Sequence, residues 1–266
     1  MERTGKRYGN YLMGLVLLGG LAVGQACSVM EDRAPCPCIL NIGFISPENV
    51  DCRSVGFRVS SSEGFEWEDT LDLDRNGHRY QVSVPRARLH VRAWTGDDGT
   101  VSDLGLLIPL GQDCPRVYMH DSDIRTEGET YDETVTLRKN HCVMTLVTEG
   151  EGQISSDMLI RGNVAGYDEA GRPVNGDFEF LLDDMGMGQG YVAVLPRQVD
   201  ASLVLEIDDG KGNSKVFALG QYMISSGYDW NEPDLEDVTV TLDYALTELR
   251  LVVNGWESVY RYDVEI

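Results

Sequence analysis

Three short segments of this 266-residue chain recur in the same order about a hundred residues downstream. Cys38-Ile39-Leu40-Asn41-Ile42 returns as Cys142-Val143-Met144-Thr145-Leu146. Tyr80, followed by Val84-Pro85-Arg86, returns as Tyr191, followed by Leu195-Pro196-Arg197 at the same internal spacing. Thr134-Val135-Thr136-Leu137 returns as Thr239-Val240-Thr241-Leu242. A self-similarity preserved in order restricts the chain to two copies of one unit. Each copy has the length of an ordinary domain, about 100–150 residues.

The repeated segments are strands by pattern. Arg79 to Val84, Thr134 to Leu137, Val238 to Leu242 and Glu248 to Val252 alternate polar and apolar residues with period two, the mark of a half-buried strand. Asn76-Gly77, Asp98-Gly99, Asn175-Gly176, Asp209-Gly210 and Asn254-Gly255 supply the positive φ angles that tight hairpins need. Few stretches hold a helical period. The fold class expected is all-β, with one sandwich over 38–140 and a second over 141–266. Asp243–Ile266, after the second Thr-Val-Thr-Leu, has no counterpart closing the first copy. It is expected to return as a hairpin on the second sandwich, or else to offer a strand to a partner.

Residues 1–26 are set apart. Arg3, Lys6 and Arg7 precede an apolar stretch from Tyr11 to Val23, and Gly24 and Ala26 lead to Cys27. The apolar stretch is shorter than the roughly 20 residues of a membrane-spanning helix and reads as a signal peptide. The small residues before Cys27 resemble the lipobox of bacterial lipoproteins, although Gly24 stands where that motif carries Leu. On this reading Cys27 is acylated, residues 27–37 are a lipidated tether, and two or three acyl chains make anchoring effectively permanent. The alternative is an ordinary cleaved signal with Cys27 free or disulfide-bonded.

The net charge is −22, of which the first 26 residues contribute +2 (three basic residues and Glu2), so the remainder carries −24. Such a body repels phosphates, which argues against nucleic acid as a partner. Beyond Cys27 there are five cysteines, at 36, 38, 52, 114 and 142. An exported chain can keep disulfides. Cys52 and Cys114, both in the first half, are expected to pair, closing a loop worth roughly 4 kcal/mol in the chain-entropy model. Cys38, or Cys36, is expected to meet Cys142. A zinc reading of Cys36-Pro37-Cys38 lacks the remaining ligands.

No nucleophile elbow, P-loop or metalloprotease helix is present. His78, His90, His120 and His141 are scattered in sequence, and each is expected to be a surface or satisfied core histidine. Gly186-Met187-Gly188-Gln189-Gly190 lacks a following helix and reads as a connection, not a phosphate loop. Asp208-Asp209-Gly210-Lys211-Gly212-Asn213 has Lys211 where a calcium loop wants oxygen ligands. No catalytic residue, cofactor or metal is assigned. Trp67, Trp94, Trp230 and Trp256 either fill cores or stack on sugars.

The lipoprotein cysteine, the Glu31-Asp32-Arg33-Ala34-Pro35-Cys36-Pro37 lead into a strand with Leu40 and Phe44, and the closing Gly227-Tyr228-Asp229-Trp230, Asp243-Tyr244 and Asn254-Gly255-Trp256-Glu257 together resemble the FimB-like fimbrial anchoring lipoproteins of Gram-negative anaerobes. The resemblance implies two tandem transthyretin-like sandwiches and a lipid anchor in the outer membrane at the base of a fimbrium. It also implies fimbrial subunits as partners, joined by strand addition. The alternative function is a surface glycan-binding lipoprotein.

Overall fold

The computed structural model describes residues 36–46, 50, 52–96, 105–149, 157–182, 190–208, 214–243, 248–253 and 256–261. Cys27, the signal segment and most of the tether lie outside the described residues, as do 97–100, 183–189 and 209–213, where the glycine-rich segment and most of both Asp-Gly turns fall.

Four sheets make two sandwiches, and the two halves repeat one pairing scheme. In the first, β1 (Cys38–Ile45) pairs antiparallel with β4 (Arg79–Val84) and parallel with β7 (Thr130–Thr136), giving a three-stranded sheet in the order β4-β1-β7. The facing sheet contains β2 (Ser54–Ser60), β3 (Glu66–Asp72), β5 (Arg88–Gly96), β6 (Val117–Arg125) and the short β8 (Arg138–Lys139), in the order β3-β2-β5-β6-β8. In the second half, β9 (His141–Glu149) pairs antiparallel with β12 (Gly190–Pro196) and parallel with β15 (Val238–Asp243). Its facing sheet runs β11-β10-β13-β14, built from β10 (Asp157–Tyr167), β11 (Pro173–Leu181), β13 (Val204–Asp208) and β14 (Ser214–Phe217).

All three repeated segments fall on equivalent strands. Cys38 faces Val84 across β1 and β4, and Cys142 faces Leu195 across β9 and β12. The parallel pairs differ by a slip of two residues. Phe44 lies beside Val135, whereas Leu146 lies beside Val240. A slip of two keeps every side chain on its face, so both cores survive it; a slip of one would not.

Two helical segments interrupt the strands. Helix α1 (Leu73–Asn76) is one turn, started by Asp72, whose carboxylate accepts the Arg75 N–H at 3.0 Å. Helix α2 (Leu219–Ser225) buries Leu219 and Met223 in the second core. None is long and apolar enough to cross a membrane among the described residues.

Two apolar clusters follow the sheets. Leu40, Ile42, Phe57, Val59, Leu89, Val91 and Val135 fill the first, with Phe57 packed between Phe44 and Tyr80 at ring-centre distances of 5.6 and 4.6 Å. Met144, Leu146, Ile160, Phe178, Leu195, Leu205 and Val240 fill the second. Each such side chain contributes about 1.5–3 kcal/mol by leaving water.

The tail returns as a hairpin. Strand β16 (Glu248–Val253) pairs antiparallel with β15, and β17 (Trp256–Arg261) with β16, extending that sheet to β12-β9-β15-β16-β17. The strand directions set where β1 begins and β17 finishes. β1 starts at the end of its sandwich away from residues 138–141, because Ile45 meets Leu137 through the Leu137 N–H at 3.2 Å. β17 ends at Arg261 beside Glu248, which faces Asp243, itself level with Glu149 at the far end of β9.

Candidate functional site: the junction and the open edges

The connection from β5 to β6 leaves its own sandwich and closes the other. Ile108 N–H donates to the Ala165 carbonyl at 2.7 Å, Tyr167 N–H to Leu106 at 2.8 Å, Gly111 N–H to Glu179 at 2.7 Å and Cys114 N–H to Val194 at 3.1 Å. Ile108 and Cys114 sit in the second apolar cluster at 5% and 2% exposure. Gly166 makes the crossing possible: a Cβ there would stand 2.0 Å from the Leu106 oxygen. The Asp113 carboxylate accepts the Val194 N–H at 2.6 Å, and burial pushes its pKa up to about 6.

The second half reaches back. The β10–β11 turn lies over the first sandwich, where Glu169 pairs with Arg58 at 3.2 Å and the Gly171 carbonyl accepts from Asn140 Nδ2 at 2.9 Å. Arg197, the Arg of the second Pro-Arg repeat, donates to Asn140 Oδ1 at 2.5 Å, to the Glu232 carbonyl at 2.9 Å and to the Trp230 carbonyl. Arg138 with Asp234 and Lys139 with Asp237, at 2.6 and 2.5 Å, add ion pairs across the same seam. These crossings make Pro37–Ile266 one compact unit although it holds two cores. At the seam lies a cavity of about 570 Å³, lined by Ile45, Tyr118, Leu137, His141 and Val143 among others.

A second concavity, of about 590 Å³, lies over the β4-β1-β7 sheet. Gly43 leaves its floor open, since a Cβ there meets only the Glu133 carbonyl at 3.9 Å. Beside it Gln81 Nε2 donates to Asn41 Oδ1 at 2.8 Å and Asn41 Nδ2 to Asp132 Oδ1 at 2.9 Å, a polar ladder across three strands. Arg79 and Thr134 flank Gly43 on either side by register.

One cluster joins residues that no sequence motif links. His120 and Ser122 of β6 and Glu133 of β7 meet across the gap between the two sheets of the first sandwich. His120 Nδ1 lies 3.2 Å from the Thr136 carbonyl and so carries the hydrogen, because a carbonyl only accepts. Its Nε2 is 3.0 Å from Ser122 Oγ, which donates to Glu133 Oε1 at 3.0 Å. This wiring is not that of a nucleophilic triad. There the serine hydroxyl donates to the imidazole and the acid holds the far ring nitrogen; here the serine proton goes to the acid and the far nitrogen faces backbone. The signal was present in the sequence as two polar residues, His120 and Ser122, at the inward positions between Tyr118 and Ile124. His141 is different again: buried at 1%, it faces the Val117 carbonyl through Nδ1 at 3.1 Å, and burial lowers its pKa to about 4.

The expected disulfides are corrected. Cys36, Cys38, Cys114 and Cys142 are free thiols, so neither expected pair forms. Both expected pairs join residues of different cores: Cys38 and Cys52 belong to the first cluster, Cys114 and Cys142 to the second. Cys114, though from the first half of the sequence, is carried into the second core by the crossing connection, which no counting of residues reveals. Burial pushes the Cys142 thiol up to about 12 and the Cys114 thiol higher, so neither is reactive. Of the tryptophans, Trp94 and Trp230 are core residues at 4% and 5% exposure, Trp67 is 41% exposed on β3, and the Trp256 side chain lies outside the described residues. No group of acidic, histidine or cysteine side chains that could hold a metal occurs among the described residues.

Neither a protein-family model nor a curated protein sequence matches the chain. Solved structures do. A proposed polysaccharide-binding protein of Bacteroides thetaiotaomicron superposes with a TM-score of 0.63 at 14% identity, covering 86% of this chain and 99% of that one. The chain shares the fold of that structure. A proposed adhesin of Bacteroides ovatus gives 0.62 at 11% identity over 85% of this chain and 96% of its own. Another of Bacteroides thetaiotaomicron gives 0.57 at 14% over 85% and 99%. The shared fold thus spans both sandwiches and the seam between them, and sequence identity this low leaves the architecture as the content of the match.

Proposed function

We propose that this chain is an outer-membrane lipoprotein that holds a fimbrium to the cell surface, acylated at Cys27 and joined to fimbrial subunits by strand addition. It acts by binding, not catalysis. The observation that supports this reading is the shared fold with β1 beginning and β17 finishing at opposite poles. β1 begins at the outer end of the first sandwich, and β17 finishes at the outer end of the second. A lipid attached ahead of β1 then leaves the second sandwich directed away from the membrane. There β17 is the last strand of its sheet among the described residues, and an unpaired edge offers N–H and C=O groups to an incoming strand. Deleting the gene should release fimbriae into the medium. Fatty-acid labelling should mark the wild type and not Cys27→Ser; fimbriae that stay attached, or equal labelling of both, reject the anchor.

The polar concavity over Gly43 favours a second reading, glycan binding. One structure of the same fold is named for polysaccharide binding. The Gln81-Asn41-Asp132 ladder presents oriented amide and carboxylate groups of the kind that bind sugar hydroxyls. A glycan array should show binding that is lost in Asn41→Ala; no binding to any glycan rejects this reading.

A further inference from the structure

We propose that His120, Ser122 and Glu133 are a polar guard that keeps the β7 edge of the first sandwich from accepting a strand, in particular β7 of a second copy of this chain. The inference goes beyond the anchoring role and does not require it.

The two halves of the molecule make the comparison internally. β7 and β15 are equivalent strands: each runs parallel to the first strand of its sandwich and each carries the Thr-Val-Thr-Leu segment. Beside β15 the chain lays β16, whose Leu251 is fully buried and completes the core. Beside β7 it lays nothing among the described residues, and β7 ends its sheet. Such an edge is a template for another strand.

The residues differ where the edges differ. Aligning Thr134-Val135-Thr136-Leu137 with Thr239-Val240-Thr241-Leu242 sets Glu133 against Val238 in sequence, and the two-residue slip sets it against Val240 in the sheet, since Glu133 lies beside Ile42 and Val240 beside Leu146. Val238 is 2% exposed and packs in the second core. Glu133 points to the corresponding inward side, but its carboxylate takes the Ser122 hydroxyl and its side chain is 15% exposed, as is that of His120. The covered edge carries valine; the open edge carries glutamate.

A strand joining β7 would set its own inward side chains over this trio. It would remove the remaining water from the Glu133 carboxylate, which Ser122 alone satisfies from the facing sheet. Burying a charged group without a new partner opposes association. His120 adds a second obstacle, because its Nδ1–H already occupies the Thr136 carbonyl at the end of β7. Pairing two copies through β7 would also bring two Glu133 carboxylates into one shared edge. Inward polar side chains at an open edge exclude wrong partners while leaving the fold intact, and strand addition is then directed elsewhere.

The test uses the full chain in detergent, read by sedimentation and by amide exchange of Thr130–Thr136. Wild type should remain monomeric at all concentrations, with rapid exchange of the β7 amides that face away from β1. The double variant His120→Val, Glu133→Val should dimerise, with β7 exchange slowed at least tenfold as concentration rises. A folded double variant that stays monomeric with unchanged β7 exchange overturns the proposal. Where the double variant does not fold, Glu133→Val alone, which installs the residue the repeat carries as Val238, must show the same concentration-dependent protection, and its failure to do so overturns the proposal equally. Either failure leaves the anchoring reading untouched, since that is judged by the release of fimbriae.

Discussion

Replacing Asp113 by Asn should stabilise the protein at neutral pH, against the usual cost of removing a charged hydrogen-bond acceptor. Asp113 sits in the crossing connection, where its carboxylate accepts the Val194 N–H, and burial raises its pKa from 3.8 to about 6. The folded state therefore holds a proton that the unfolded state has released, over the window from 3.8 to about 6. Stability from this group is complete below the lower value and is lost as pH rises through the upper one. A shift of about two units is an upper bound of about 3 kcal/mol. Asp113 is only partly shielded from solvent, and screening reduces this to about 1–2 kcal/mol. Asn keeps one oxygen for the Val194 N–H and has no charge to bury. Thermal unfolding of the body at pH 4 to 8 tests this. Asp113→Asn should melt roughly 3–6 °C above wild type at pH 7, given about 2–4 °C per kcal/mol at this size. The two should converge near pH 4. A variant that melts below wild type at pH 7, or by the same margin at every pH, refutes the argument, because it would show that the carboxylate is held by its hydrogen bonds more strongly than burial opposes it.

His141 should act with the opposite sign. Its folded pKa, about 4 against 6.5 unfolded, means that stability falls as pH drops through that window, and His141→Gln, which can still donate to the Val117 carbonyl, should flatten this acid limb in urea titrations. Ile108→Ala should cost about 2–4 kcal/mol by opening a cavity in the second core from a residue of the first half. Amide exchange should then loosen first around Ala165 and Tyr167, to which the connection is bonded. Gly166→Ala should be worse, because its Cβ meets the Leu106 oxygen and its φ of +147° is one that only glycine adopts without strain; soluble yield and melting temperature would report it. Of Cys36, Cys38, Cys114 and Cys142, only the exposed Cys36 should react with an aromatic disulfide reagent in the native protein.

The strands of this protein are legible in its sequence because the constraint that makes them is local. Alternation with period two decides which residues face the core, and the three repeated segments carry that alternation into both halves in the same order. The repeat also foretells the pairing, since Cys38 with Val84 and Cys142 with Leu195 occupy the same register. Asp243–Ile266 could be read as a hairpin for the same reason: β16 and β17 are neighbours in the chain, and neighbours pair.

What tertiary structure alone decided is where non-neighbours meet. Nothing in the residues around Ile108 and Cys114 says that a connection of the first sandwich will fill the core of the second, so the pairing of Cys52 with Cys114 looked reasonable and is wrong. Burial, not spacing, also made Asp113 and His141 titrate abnormally. His120, Ser122 and Glu133 show the same division. Their inward positions follow from alternation within each strand, but their contact depends on two sheets facing one another at an edge that no described strand covers. Side-chain direction is a local property with a period of two, whereas contact between distant segments is set by how the sheets stack, and a single strand carries no record of what lies across from it.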